Sequence, residues 1–88
     1  MPSTPDNEAF NYAERIRERL PRRLQELRGA AGLSKYALEK KSRVSREMIA
    51  CIEGGESVPT FHVGARLAHG MGMTLEQFVG KLEDGGGA

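Results

Sequence analysis

The sequence predicts an all-α protein, a compact single-domain bundle of about five short helices. Its 88 residues, 39% of them hydrophobic, suffice for one small core and not for two. Apolar residues recur at every third or fourth position, which is the period of an amphipathic helix. Sustained alternation of apolar and polar residues, the signal of a strand, is missing. A chain this short also leaves little room for the cleft that most enzymes need.

The first third of the sequence predicts two helices. Residues 1–7 are polar and contain two prolines, so we expect a flexible N-terminal tail. An apolar stripe runs from Phe10 to Leu20 and continues at Leu24. Pro21 interrupts this stripe and either kinks one long helix or lies in the first turn of a second. We favour the second interpretation, with a short extra helix over residues 8–20 followed by the main domain over residues 21–82.

Hydroxyl side chains mark the starts of the later helices. Ser34, Ser45 and Thr60 are good N-caps for helices 2, 3 and 4. The Thr74-x-x-Gln77 pattern has the form of a capping box at the start of helix 5. Gly64 lies inside helix 4, and we expect it to permit close helix packing. Residues 83–88 are rich in glycine and predict a flexible C-terminal tail.

The net charge of +1 conceals an uneven distribution along the chain. Residues 1–13 sum to −2, residues 14–53 carry eleven bases against six acids and sum to +5, and residues 54–88 sum to −2. A basic middle segment between acidic ends is typical of a protein with a polyanionic partner. A solvated surface of mixed charge explains the same numbers equally well.

Residues 34–53 carry the strongest functional signal. Two short helices, each with its own serine cap, are separated by about three residues. The apolar residues Leu38, Val44, Ile49 and Ile52 lie where two crossed helices would share one contact. This is the pattern of a helix-turn-helix, in which the first helix braces the second within the major groove of DNA.

This segment resembles the DNA-binding domain of the Xre/Cro and phage-repressor family of bacterial regulators, and the resemblance covers about residues 20–79. The matching residues are Leu27, Arg28, Gly32, Leu33, Ser34, Leu38, Val44, Ser45, Ile49, Ile52, Glu53, Gly55, Pro59, Leu67, Ala68, Met73, Thr74 and Leu75. Three residues depart from the family pattern: Lys35 replaces the usual Gln, Glu39 a small Ala, and Arg43 a Gly. We expect Arg43 to adopt a left-handed conformation, or the turn to shift, at a cost of about 1 kcal/mol.

The resemblance implies a lambda-repressor-like fold in which helix 3 reads the major groove. The implied base-contacting residues are Arg46, Glu47, Ala50 and Cys51, with Arg46 as the best candidate to pair with guanine. The implied phosphate-contacting residues are Lys35, Tyr36, Ser45, Arg22 and Arg23. Members of the family commonly dimerise, and the predicted dimer surface contains Leu75, Phe78, Val79, Leu82 and Phe10.

The predicted function is that of a sequence-specific transcriptional regulator, a repressor that binds a palindromic operator in double-stranded DNA as a homodimer. The alternatives are an antitoxin or other protein-interaction module of a toxin–antitoxin pair, and a controller protein of a restriction–modification system. We expect no enzymatic activity, no cofactor and no small-molecule ligand.

The remaining chemical groups predict neither a metal site nor a membrane protein. His62 and His69 are seven residues apart on helix 4, about 10 Å along its axis, so one metal ion cannot bridge them. A single cysteine, no secretion signal and no long apolar run predict a cytoplasmic protein, bacterial or phage-encoded and associated with the nucleoid.

Overall fold

A computed structural model describes residues 7–83 of the chain, apart from the side chain of Lys81. This part folds into five helices with no strand: α1 (Glu8–Ala30), α2 (Lys35–Ser42), α3 (Arg46–Glu53), α4 (Phe61–Gly70) and α5 (Leu75–Glu83). The predicted all-α bundle is therefore confirmed. The predicted tails lie outside the described residues except at Asn7, which precedes α1, and Glu83, which ends α5.

The prediction of a separate helix before Pro21 is wrong, because α1 is one continuous helix of 23 residues that contains Pro21. Proline in a helix interior removes one backbone hydrogen bond and costs about 3 kcal/mol. Contacts on both sides of Pro21 offset this cost. Leu20 and Leu24 are buried in the core, and Ile16 packs against it.

Helix α5 covers the N-terminal half of α1, and the two helices run antiparallel. The Tyr12 hydroxyl donates to the Glu83 carboxylate at 2.7 Å, and the Arg19 guanidinium donates to the Leu82 carbonyl at 2.6 Å. Because α5 supplies these partners, the segment of α1 before Pro21 is part of the domain's packing.

The hydrophobic core gathers side chains from all five helices and from the turns after α2 and α4. Its buried members are Leu20, Leu24, Leu38, Val44, Ile49, Ile52, Leu67, Ala68, Met71, Phe78 and Leu82. Two of these residues, Phe78 and Leu82, belong to the predicted dimer surface. Both are almost fully buried within the single chain, so they do not offer a surface to a second chain. Val79 and Phe10 of the same predicted surface are exposed, and Leu75 is half-buried.

Close packing of α4 against α2 occurs at Gly70 rather than at Gly64. A Cβ atom at Gly70 would lie 3.0 Å from both Leu38 Cδ1 and Ser42 Cβ. At Gly64 the nearest atom to such a Cβ would be Leu75 Cδ1 at 3.5 Å, which is an ordinary contact. The expectation that Gly64 permits a close approach is therefore wrong.

Each predicted helix cap is present. Ser34, Ser45 and Thr60 each accept a hydrogen bond from the backbone N–H three residues later, at 3.0 to 3.1 Å. Thr74 and Gln77 form the reciprocal capping box, with distances of 2.9 and 3.1 Å. These bonds satisfy amide groups that a helix start otherwise leaves without a partner, and they fix where α2 to α5 begin.

Candidate nucleic-acid interface

A three-residue turn joins α2 to α3 and sets the angle between them. Arg43 has a left-handed conformation with φ 63° and ψ 22°, which is the first of the two expected outcomes. Its N–H donates to the Glu39 carbonyl at 2.8 Å, which closes α2. Val44 follows as a buried residue, and Ser45 then caps α3. The connection between α2 and α3 is therefore only three residues long, which is the short turn that a helix-turn-helix requires.

Two side chains hold this turn in place. The buried Ser42 hydroxyl donates to the Leu38 carbonyl at 2.7 Å and accepts from the Val44 N–H at 3.1 Å. From α4, the Arg66 guanidinium donates to the Ser42 carbonyl at 3.1 Å and also to the Arg43 carbonyl. A cation at the carbonyl end of α2 is also favourable for the helix dipole. Together these contacts stabilise a left-handed arginine that carries an intrinsic conformational cost.

Helix α3 divides cleanly into a buried and an exposed side. Ile49 and Ile52 are fully buried against the core. Arg46, Glu47 and Ala50 are exposed, and Cys51 is half-buried. Three of the four predicted base-contacting side chains therefore share an exposed surface, while part of Cys51 is covered by the protein.

Arg46 at the start of α3 contacts two side chains of α2. Its Nε atom lies 2.9 Å from Glu39 Oε1, and its guanidinium carbon lies 5.0 Å from the centre of the Tyr36 ring. The first contact is an ion pair and the second is a cation–π contact. Glu39, which replaces the small residue of the family pattern, is therefore accommodated by pairing with Arg46.

The predicted phosphate-contacting residues near the helix starts differ in how far their polar groups already contact other groups of the protein. The Ser45 oxygen accepts the capping hydrogen bond from Met48 N–H, which leaves its own O–H able to donate. The Lys35 ammonium lies 4.0 Å from Glu53 Oε1 and is therefore partly engaged. Tyr36 is half exposed, and its hydroxyl oxygen lies 3.4 Å from the Lys40 ammonium.

The two arginines of α1 that are predicted to contact phosphate differ in how far other groups of the protein already bind them. Its side chain is 85% exposed and lies 3.8 Å from the Glu26 carboxylate, which is a weak surface pair. Arg23 instead donates to the carbonyls of Phe78 and Gln77 at 3.0 and 2.9 Å. This guanidinium therefore joins α1 to α5, and a contact of Arg23 with phosphate stays a prediction.

Sequence reasoning missed two cations beside α3. An open groove between α2 and α3 is lined by Tyr36, Glu39, Lys40, Arg43, Ser45 and Arg46. Lys40 and Arg43 are exposed there, and the Lys40 ammonium lies 5.3 Å from the centre of the Tyr36 ring. Both belong to the segment with charge +5, but that count does not separate cations that face solvent from those used in packing.

A partly buried ion pair anchors the end of α3 to α1. The Arg28 guanidinium donates from Nε and Nη2 to the two carboxylate oxygens of Glu53 at 2.7 and 2.9 Å, and from Nη1 to the Leu33 carbonyl at 3.0 Å. The Gln25 amide donates to the Glu53 carbonyl at 3.1 Å. The hydrogen bond to the Glu53 carboxylate raises the pKa of Arg28 above its ordinary value. The exposed side of α3 is therefore presented by a helix held at both ends.

The part of the chain that the structure describes contains neither a candidate metal site nor a helix that could span a membrane. Over residues 7–83 no group of three or more His, Cys, Asp or Glu side chains has the arrangement needed to hold a metal ion. Within the same range no helix is both long enough and apolar enough to cross a membrane.

The comparisons with known proteins agree with this geometry. A family model described as a helix-turn-helix domain matches residues 19–78, which include α2, the turn, α3 and α4. Neither the curated proteins nor the solved structures gave a match. The chain therefore belongs to the helix-turn-helix domain family, a class of DNA-binding domains, as the resemblance predicted.

Proposed function

We propose that this protein is a sequence-specific transcriptional regulator, a repressor that inserts α3 into the major groove of its operator. The observation that carries the proposal is the exposure of Arg46, Glu47 and Ala50 on a helix whose other side is locked into the core. An α3 of eight residues is about 12 Å long, and the major groove is about 12 Å wide. Leu38 of α2 and Val44 of the turn are buried in the same core as Ile49 and Ile52, so α2 braces α3.

Each predicted base-contacting residue of α3 has a chemically matched base. Arg46 has the donors for a bidentate contact with O6 and N7 of guanine, and Glu47 can accept from the amino group of cytosine. Ala50, and the exposed part of Cys51, suit the methyl group of thymine.

The groups around α3 supply the contacts to phosphates. The starts of α2 and α3 carry Lys35, Tyr36 and Ser45, and the positive end of a helix dipole favours an anion. Lys40 and Arg43 add exposed cations to the same groove, and Arg22 is available on α1. Such contacts fix the register of the protein on DNA and supply most of its affinity.

We further propose that the protein binds a palindromic operator as a dimer, with half-sites about one helical turn apart. Val79 and Phe10 are exposed apolar residues outside the groove, and Leu75 is half-buried nearby on α5. A Val79→Asp substitution should turn the dimer into a monomer and weaken operator binding. Light scattering on the wild type at micromolar concentration tests this claim, since a monomer with a footprint of one half-site would contradict it.

Selection of bound sequences from random duplexes tests the function as a whole. We expect enrichment of one symmetric motif, and a fall in affinity of roughly a thousandfold or more between about 50 and 200 mM salt. Failure to enrich any sequence would contradict the proposal. An association that is insensitive to salt would indicate a protein partner instead.

A further inference from the structure

Arg46 is the one predicted base-reading side chain whose orientation is set by other side chains. Glu39 occupies its Nε edge at 2.9 Å, and the Tyr36 ring lies 5.0 Å from its guanidinium carbon. Both partners project from α2, whereas Arg46 is the first residue of α3. Among the described residues, the two Nη atoms of Arg46 make no hydrogen bond, so the outer edge of the guanidinium remains available.

Glu39 needs Arg46 as the partner of a buried carboxylate oxygen. Its Oε1 atom is buried and has no well-aligned hydrogen bond, and among the side chains that the structure describes Arg46 is the one cation within ion-pair distance of it. A carboxylate oxygen removed from water needs a compensating charge. The pair therefore restrains both side chains, and the restraint on Arg46 acts before any ligand arrives.

We propose that Glu39 and Tyr36 are positioning residues that fix the guanidinium plane of Arg46 for one base pair, and that Glu39 thereby determines specificity without touching DNA. This inference rests on the proposed function. A free arginine must lose rotamer entropy when it binds a base, but an arginine already held in one orientation loses less. The edge left free is the one that pairs with O6 and N7 of guanine.

The negative charge of Glu39 has a second effect of opposite sign. A carboxylate in the groove repels phosphates, so Glu39 weakens binding to all DNA while it favours the one sequence that Arg46 reads. Removal of Glu39 should therefore leave non-specific affinity equal or higher and lower the ratio of specific to non-specific affinity. A residue needed only for folding would lower both affinities together.

The first test examines the contact in the free protein. The ¹⁵Nε–¹Hε resonance of Arg46, assigned by its loss in Arg46→Lys, should show slow exchange and a high order parameter in the wild type. In Glu39→Ala and in Tyr36→Leu this resonance should move and become mobile. Unchanged exchange and mobility in both variants would overturn the proposal, whatever the protein does with DNA.

The second test measures discrimination with the selected duplex and with a variant changed at the base pair that Arg46 reads. Glu39→Ala should lower the affinity ratio about two- to tenfold, the range expected for ordering one long side chain. Glu76→Ala is the matched control, because it removes one negative charge from an exposed position on α5, which packs against α1 and α4. In an Arg46→Ala background, Glu39→Ala should have no effect on the ratio.

Two substitutions at Tyr36 separate the role of its ring from the role of its hydroxyl. Tyr36→Phe keeps the ring and should lower affinity equally for both duplexes, whereas Tyr36→Leu should also reduce discrimination.

Specific binding by the wild type with an unchanged ratio in Glu39→Ala would overturn the inference and leave the proposed function intact. No specific binding by the wild type would overturn the proposed function, and with it the role in specificity.

Discussion

The Arg28 guanidinium and the Glu53 carboxylate form a two-point ion pair that joins the end of α1 to the end of α3. The Glu53 side chain is only 5% exposed, so removal of its partner leaves a poorly solvated charge. We expect Arg28→Ala to lower the free energy of unfolding by about 3 kcal/mol, measured by urea denaturation. Lys35, 4.0 Å from the same carboxylate, compensates only in part.

Arg22→Ala is the matched control for this measurement. It makes the same substitution on the same helix, but at an exposed side chain whose pair with Glu26 is long. We expect a change within about 0.5 kcal/mol. Equal effects for the two variants would show that the ion pair to Glu53 does not stabilise the fold.

Arg43→Gly should stabilise the protein. The left-handed conformation of Arg43 costs about 1 kcal/mol for a residue with a Cβ atom and little for glycine. Arg66 donates its hydrogen bonds to backbone carbonyls of the turn, so both bonds survive the substitution. We expect a gain of about 1 kcal/mol by urea denaturation, and no such gain for Arg43→Ala, which removes the same charge. If both variants gained the same free energy of unfolding, the cause would be the loss of charge and not the backbone conformation.

Two glycine-to-alanine substitutions on α4 should act in opposite directions. At Gly70 the new methyl group would meet the Ser42 backbone Cα at 3.3 Å as well as two side-chain atoms at 3.0 Å, so we expect a loss of about 1–3 kcal/mol. At Gly64 the nearest contact is an ordinary 3.5 Å, so we expect a gain of up to about 1 kcal/mol from helix propensity. Thermal unfolding of both variants measures the difference, and destabilisation by Gly64→Ala would contradict the described packing of α4 and α5.

The hydrogen bond from Tyr12 to Glu83 should be visible in a pH titration. Because the phenol donates to a carboxylate, the pKa of Tyr12 is raised above its ordinary 10.0. The sign follows from linkage: the contribution to stability is complete below pH 10 and is lost as the pH rises through the raised pKa. Absorbance at 295 nm in a Tyr36→Phe background isolates Tyr12. Glu83→Gln should lower this pKa, and an unaltered titration curve would contradict the contact between α1 and α5.

Local signals in the sequence predicted most of the functional region. Ser34 and Ser45 determine where α2 and α3 begin because each side chain bonds its own helix. The left-handed Arg43 is one of the two outcomes expected from the family pattern, in which a glycine usually occupies this position. The two caps depend on neighbours in sequence, so one sequence is sufficient to predict them.

The predictions differ from the structure at residues whose packing depends on segments that are distant in the sequence. Pro21 predicts a helix boundary when only its neighbours are considered, but α5 packs along α1 and keeps the helix continuous. The same packing buries Phe78 and Leu82 and engages Arg23, so three residues expected at surfaces serve the fold. The contact between Glu39 and Arg46 likewise depends on how α2 and α3 cross.

The central claim is that Arg46, at the exposed start of α3, reads a base in the major groove. Selection from random duplexes with the wild type and with Arg46→Ala tests it most directly. We expect the variant to lose preference at one base pair of each half-site and to bind the wild-type motif about 1–3 kcal/mol more weakly, with the other positions unchanged. The same motif, enriched to the same degree by both proteins, would contradict the claim.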